Sequence, residues 1–151
     1  YLSEGRSDPR PEILERLRSE LGSSGSIVCY NAAFERGVLD RAVEAYPEYL
    51  SWWNAAQARL VDLLAPFRAF SFYHPDQSGS ASLKTILPVL TGEGYESLAI
   101  GDGEAASREY LRVTFGDAAA QERARIRCQL EEYCGLDTMG MIRIIESLKS
   151  I

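Results

Sequence analysis

The sequence predicts a helix-rich α/β domain. In several long segments apolar residues recur at steps of three and four, which lines them along one helix face. One short run, Ile27-Val28-Cys29-Tyr30, is instead contiguous and built of strand-forming types. The 151 residues, 46% of them apolar and 25% charged, are enough for a single domain over residues 1–151 with a core of its own.

"SDPRPEILERLRSELG" opens the first helix. Asp8 is set to cap it, Pro9 suits the first helical position and Gly22 ends it. Ile13, Leu14, Leu17 and Leu21 make its buried face. The strand follows, and a second helix runs from near Asn31 to about Ala45. Pro47 restarts the chain in a helix that carries Trp52 and Trp53. "ARLVDL" reads as the end of that helix or as a second short strand, because periodicity does not separate the two. Residues 67–82 are loop-rich. "SLKTILPVL" is a short helix stopped at Pro88 or soon after it, and a turn at Gly101–Gly103 leads into another helix. Asp117 then caps a long terminal helix, or a helix pair broken at Gly135. A lone strand is unstable. Its neighbours are therefore expected from a missing upstream part of the same chain, or from a second copy paired through the exposed sheet edge as a homodimer.

The formal net charge is -6, which argues against passive binding of nucleic acid through a basic surface. It leaves open an enzyme that reaches phosphate through cations held by carboxylates. No apolar run approaches the roughly 20 residues of a membrane span and nothing resembles a signal peptide, so a cytoplasmic protein without a membrane partner is expected. Cys29, Cys128 and Cys134 are too few and too scattered for a disulfide framework and read as reduced packing residues. His74 is the one histidine and sits in a Pro- and Gly-containing loop, which leaves little room for zinc or a histidine-based nucleophile mechanism.

One carboxylate is out of place. From Ile126 the terminal stripe runs through Leu130, Tyr133/Cys134, Asp137, Met141, Ile144/Ile145 and Leu148, so Asp137 falls among apolar neighbours. A carboxylate there must neutralise, pair, bind a metal or reach water. The first sixty residues are the expected source of its partner. Glu35 is the candidate: it lies one turn into the helix after the strand and shares a face with Ala32, Leu39 and Ala42. Asn31 precedes it as a candidate cap, and Phe34 and Val38 mark a second apolar face. Tyr133 stands four residues before Asp137, hence beside it on a helix, where a phenol next to a carboxylate can orient water. The plainer alternatives are Asp137 as a helix cap after Gly135, Glu35 solvated or paired with Arg36, Arg41 or Lys84, and Tyr133 as a core aromatic. Asp102 reads as a turn residue. The arginines at 108, 112, 123, 125 and 127 line a phosphate path or a solvated helix face.

"NAAFE", followed about a hundred residues later by "YCGLD", resembles the second and third motifs of the DnaQ-like 3'-5' exonucleases of the ribonuclease H-like fold, in the branch that has a tyrosine four residues before its last acid. "RLVDLL" resembles the strand after the second motif, ending in Asp62, and "SLKTIL" the helix beyond it. "YHPDQSGSASLKTILPVL", "LAIGDGEAASREYL" and "YCGLDTMGM" resemble a bacterial domain family of unknown function placed near those exonucleases. The likeness covers roughly residues 24 to 150.

This resemblance implies a partial ribonuclease H-like fold with few strands, and metal-dependent hydrolysis of phosphodiester bonds in DNA or RNA. It implies Glu35 and Asp137 as ligands of Mg²⁺ or Mn²⁺ in a two-metal site, Tyr133 as the residue that positions the attacking water, and Asn31 and Phe34 as substrate-lining. Two departures shape the expectation. The superfamily's second motif usually has Asp where this chain has Glu35, and the extra methylene carries the carboxylate about 1.5 Å further. The first motif, Asp-x-Glu on an opening strand, does not occur before Glu35, and the chain begins at Tyr1 without a methionine. The chain is therefore expected to be the later part of a longer domain, to bind metal weakly and not to cut by itself. The alternative is a non-catalytic interaction module that keeps the fold and has lost the metals.

Overall fold

The computed structural model describes residues 1–3 and 5–150. It is helix-rich with two parallel strands. Backbone contacts gather the chain into two compact units, Asp8–Pro75 and Tyr1–Ser7 with Asp76–Ile151. No helix among the described residues is long and apolar enough to cross a membrane.

In the unit Asp8–Pro75 the first helix, α1, spans Arg10–Leu21. Asp8 accepts the Arg10 backbone N–H at 3.0 Å and grips the same residue's guanidinium. Pro9 takes the cap position itself, one residue later than expected. Leu14 is the fully buried anchor of the apolar face. β1 (Ile27–Cys29) follows, then α2 (Ala32–Ala45), a 3₁₀ turn at Pro47–Tyr49, α3 (Leu50–Gln57) and β2 (Leu60–Asp62). The ambiguous "ARLVDL" segment is thus a strand. It pairs in parallel with β1, Ile27 opposite Leu60 and Cys29 opposite Asp62, and Leu63 N–H extends the ladder to Cys29 O at 2.9 Å. α2 and α3 form the crossover that a parallel pair needs.

Leu14, Ala42, Val43, Trp53 and Ala56 form the centre of this unit, with Ile27, Leu39, Trp52 and Leu60 packed against it. Trp53 is buried without losing its polar handle, because Nε1 donates to Asp40 Oδ1 at 2.7 Å. Arg59 binds the start of the sheet to the end of α1. Its guanidinium donates to the carbonyls of Leu21, Gly22, Ser24 and Gly25 at 2.6–2.8 Å. The short α4 (Ala65–Arg68) buries Phe67 beside Tyr30 and Phe72.

The other unit is built on one long helix. α5 (Leu83–Thr91) and α6 (Gly103–Phe115) both pack on α7 (Ala120–Leu148). Pro88 lies inside α5, and Gly92 ends the helix in the left-handed conformation. Asp102 is a helix cap rather than a plain turn residue, accepting Ala105 N–H at 2.8 Å.

α7 decides between two alternatives and corrects one expectation. It runs unbroken through Gly135, and its cap position is Ala119, so Asp117 lies ahead of the helix start. Burial on α7 falls at Ile126, Leu130, Tyr133, Gly140 and Ile144. Gly140 takes a stripe position because a Cβ there would come within 3.0 Å of Leu87 Cδ2 on α5. Tyr133 occupies the stripe where the sequence left Tyr133 and Cys134 undivided, which turns Cys134 outward. Only Cys29 of the three free cysteines is buried; Cys128 and Cys134 are exposed.

Candidate functional site

The sequence-selected residues fall into two groups, one in each unit. Asn31, Phe34 and Glu35 stand at the start of α2, just beyond the carboxyl end of β1. In parallel α/β sheets that end of the strands is where ligands collect. Asn31 occupies the cap position without using its side chain as a cap. It takes the left-handed conformation (φ 75°), and its backbone N–H donates to Asp62 Oδ1 at 3.0 Å. The same oxygen accepts Leu64 N–H at 3.0 Å. Asp62, at the end of β2, therefore ties both strand ends together with one oxygen. Glu35 is half-buried, and that burial raises its carboxyl pKa. It makes no ion pair among the described residues of its unit, so of the plainer alternatives the pairing with Arg36 or Arg41 is absent from them. Burial raises the Cys29 thiol as well, with the charges of Glu35 and Asp62 adding to it. Phe34 is 63% exposed and packs into no core.

In the other unit Tyr133 and Asp137 stand one turn apart on α7, as their spacing predicts. Asp137 is half-buried, and it is not a helix cap. Its hydrogen-bond partner is Tyr95, outside the sixty residues expected to supply one: Tyr95 Oη donates to Asp137 Oδ1 at 2.6 Å. The Tyr95 and Tyr133 rings meet at 6.0 Å. The Lys84 ammonium lies 5.6 Å from both ring centroids. Tyr133 is buried, and that burial, reinforced by the Asp137 charge, pushes its phenol up to about 12. A phenol is protonated at neutral pH and can donate, and this shift favours that form further. Tyr95 and Lys84 are the members of this cluster that sequence reasoning did not place. Tyr95 sits in an aperiodic loop, and Lys84 lies in the first turn of α5 with no sign of which ring it will face.

The donors in either unit do not by themselves fit a two-metal site. Among the described residues no group of three or more His, Cys, Asp or Glu side chains is close enough to hold a metal ion. Asp62 and Asp137 each have one oxygen engaged by protein donors. Mg²⁺ wants several free oxygen ligands.

A family model described as a domain of unknown function (DUF2779) matches residues 1–82, more than half of the chain. The chain belongs to the DUF2779 family. The DUF2779 match takes in Asn31, Phe34, Glu35 and Asp62, and it ends before Lys84, Tyr95, Tyr133 and Asp137. No curated protein and no solved structure matches the chain.

Proposed function

We propose that this DUF2779 protein is a metal-dependent, exonuclease-like nuclease of the DnaQ-like, ribonuclease H-like kind, hydrolysing phosphodiester bonds of DNA or RNA. The observation that carries the reading is the pair on α7, a buried phenol one helical turn from a half-buried carboxylate. The strand ends support it: Asp62 closes β2 and Glu35 lies in the first turn of α2, just beyond β1, in the order of the exonuclease motifs that the sequence resembles. In this reading Glu35 and Asp137 are ligands of Mg²⁺ or Mn²⁺, Tyr133 holds the attacking water by donating or accepting a hydrogen bond, and Asn31 and Phe34 line the substrate. Divalent ions in such sites activate the attacking oxygen and stabilise the leaving one. The donor set described above leaves the ligand shell incomplete, so the 151-residue chain alone is expected to bind metal weakly and not to cut.

The test is cleavage of single-stranded oligonucleotides by the full-length protein with Mn²⁺. Cleavage that disappears in Asp137→Asn, with the fold retained, supports the reading; intact oligonucleotides across broad conditions overturn it. A second reading, a non-catalytic interaction module, is favoured by the hydrogen bond that already engages Asp137 Oδ1. It requires that Mn²⁺ titrated into the full-length protein show no carboxylate-dependent binding.

A further inference from the structure

The acidic surface poses a problem for any protein that handles nucleic acid: with a net charge of -6, long-range attraction to phosphate cannot come from the molecule as a whole. A specific cation must supply it locally. The arginines that the sequence offered for this are largely committed elsewhere. Arg108 pairs with Glu104, and Arg112 with Glu109 and Glu122. Arg123 donates to Ala118 O, and Arg127 to the carbonyls of Leu2 and Ser3.

Lys84 differs from them. It makes no ion pair among the described residues. Asp102 feels its charge, but an Asp102 oxygen is taken by Ala105 N–H at the start of α6. Two aromatic faces hold the ammonium, at equal distance from Tyr95 and Tyr133. A cation over a ring keeps N–H donors directed away from that ring, free for an anion. One of those rings belongs to Tyr133, and the other carries the phenol that grips Asp137.

We propose that Lys84 is the phosphate-contacting residue of this site, its ammonium held over Tyr95 and Tyr133 to bind the backbone of a single-stranded nucleic acid. The inference rests on the nuclease reading and adds a binding residue to it. A lysine used this way acts as a point charge, so it weakens or strengthens binding uniformly across base sequences.

The experiment measures binding of a fluorescent single-stranded oligonucleotide to the full-length protein in EDTA, over a series of salt concentrations, with cleavage assayed separately with Mn²⁺. Lys84→Gln is expected to weaken binding about tenfold and to lower the slope of log affinity against log salt by about one. Lys84→Arg is expected to restore both. A role confined to bracing the two rings would change stability but not the salt slope. If wild type binds and cleaves while Lys84→Gln keeps its affinity and slope, the Lys84 inference is overturned and the nuclease reading stands. If wild type neither binds nor cleaves, the nuclease reading falls and the Lys84 inference falls with it.

Discussion

Tyr95 Oη and Asp137 Oδ1 meet at 2.6 Å, and this bond is what keeps a carboxylate on the apolar stripe of α7. A hydrogen bond to a charged group contributes more than a neutral one, and removing the donor leaves the half-buried acceptor short of a partner. Tyr95→Phe keeps the ring contacts with Tyr133 and Lys84 and removes only the hydroxyl. It is expected to cost about 2 kcal/mol. A double-mutant cycle with Asp137→Asn is expected to show coupling of about 1 kcal/mol or more. Both tryptophans, Trp52 and Trp53, lie in the other unit, so the readout is urea unfolding by circular dichroism together with hydrogen exchange along α7. Equal stability of Tyr95→Phe and wild type would refute the account of Asp137.

Glu35 carries a pH signature of opposite sign to that of a salt-bridged acid. Burial raises its pKa in the folded state, so the folded chain binds this proton more tightly than the unfolded chain does. Stability from this residue is therefore fullest below the ordinary glutamate range. It declines as pH rises through that range to the raised folded value, and stays lost above it. Glu35→Gln removes the titration. Its melting temperature by tryptophan fluorescence is expected to equal that of wild type below the ordinary glutamate range and to exceed it near neutrality. Under the nuclease reading the same variant loses activity while gaining stability, a trade that a merely structural glutamate would not show.

What the sequence discloses, and what it hides, follows the range of the forces involved. α2 runs from Ala32 to Ala45 as expected, because a helix of that length declares itself through its own periodicity and the turn residues at its ends. The adjacency of Tyr133 and Asp137 was legible for the same reason. β2 was not, since three residues beside Leu63 and Leu64 look alike in a helix and in a strand, and only pairing with β1 decides. Gly135 left a broken helix open as an alternative because glycine costs a helix about 1 kcal/mol, a cost that the packing of α5 and α6 along α7 outweighs. Tyr95 was invisible as the partner of Asp137, because a loop side chain is aimed by the tertiary path of its loop.

Arg59 is expected to be the most sensitive surface residue of its unit. One planar guanidinium spans four carbonyls between α1 and β1. A lysine ammonium concentrates its donors at one point and cannot reach all four. Arg59→Lys should lose about 2 kcal/mol and Arg59→Ala about 3 kcal/mol, read by tryptophan fluorescence in urea. Both variants should make residues 22–26 the first site of limited proteolysis. A lysine variant as stable as wild type would show that these bonds are replaced by water without loss.

Two glycines on α7 give a matched test of its packing. Gly135 faces open space, with nothing within 4 Å of an added Cβ, and it lies inside a continuous helix. Gly135→Ala therefore gains helix propensity without contact and should stabilise by about 1 kcal/mol. Gly140 is buried, and its added Cβ would stand 3.0 Å from Cδ2 and 3.4 Å from Cδ1 of Leu87. Leu87 is itself fully buried and has little room to retreat. Gly140→Ala should thus lose more to overpacking, about 1–3 kcal/mol, than it gains in propensity. Adding Leu87→Val to Gly140→Ala frees space at that contact and should recover part of the loss, which a backbone effect of alanine would not allow. Unfolding followed by circular dichroism on the two single variants and the double variant decides it. If Gly135→Ala proved as damaging as Gly140→Ala, the helix would have to bend at Gly135, and Tyr133 and Asp137 would no longer share a face.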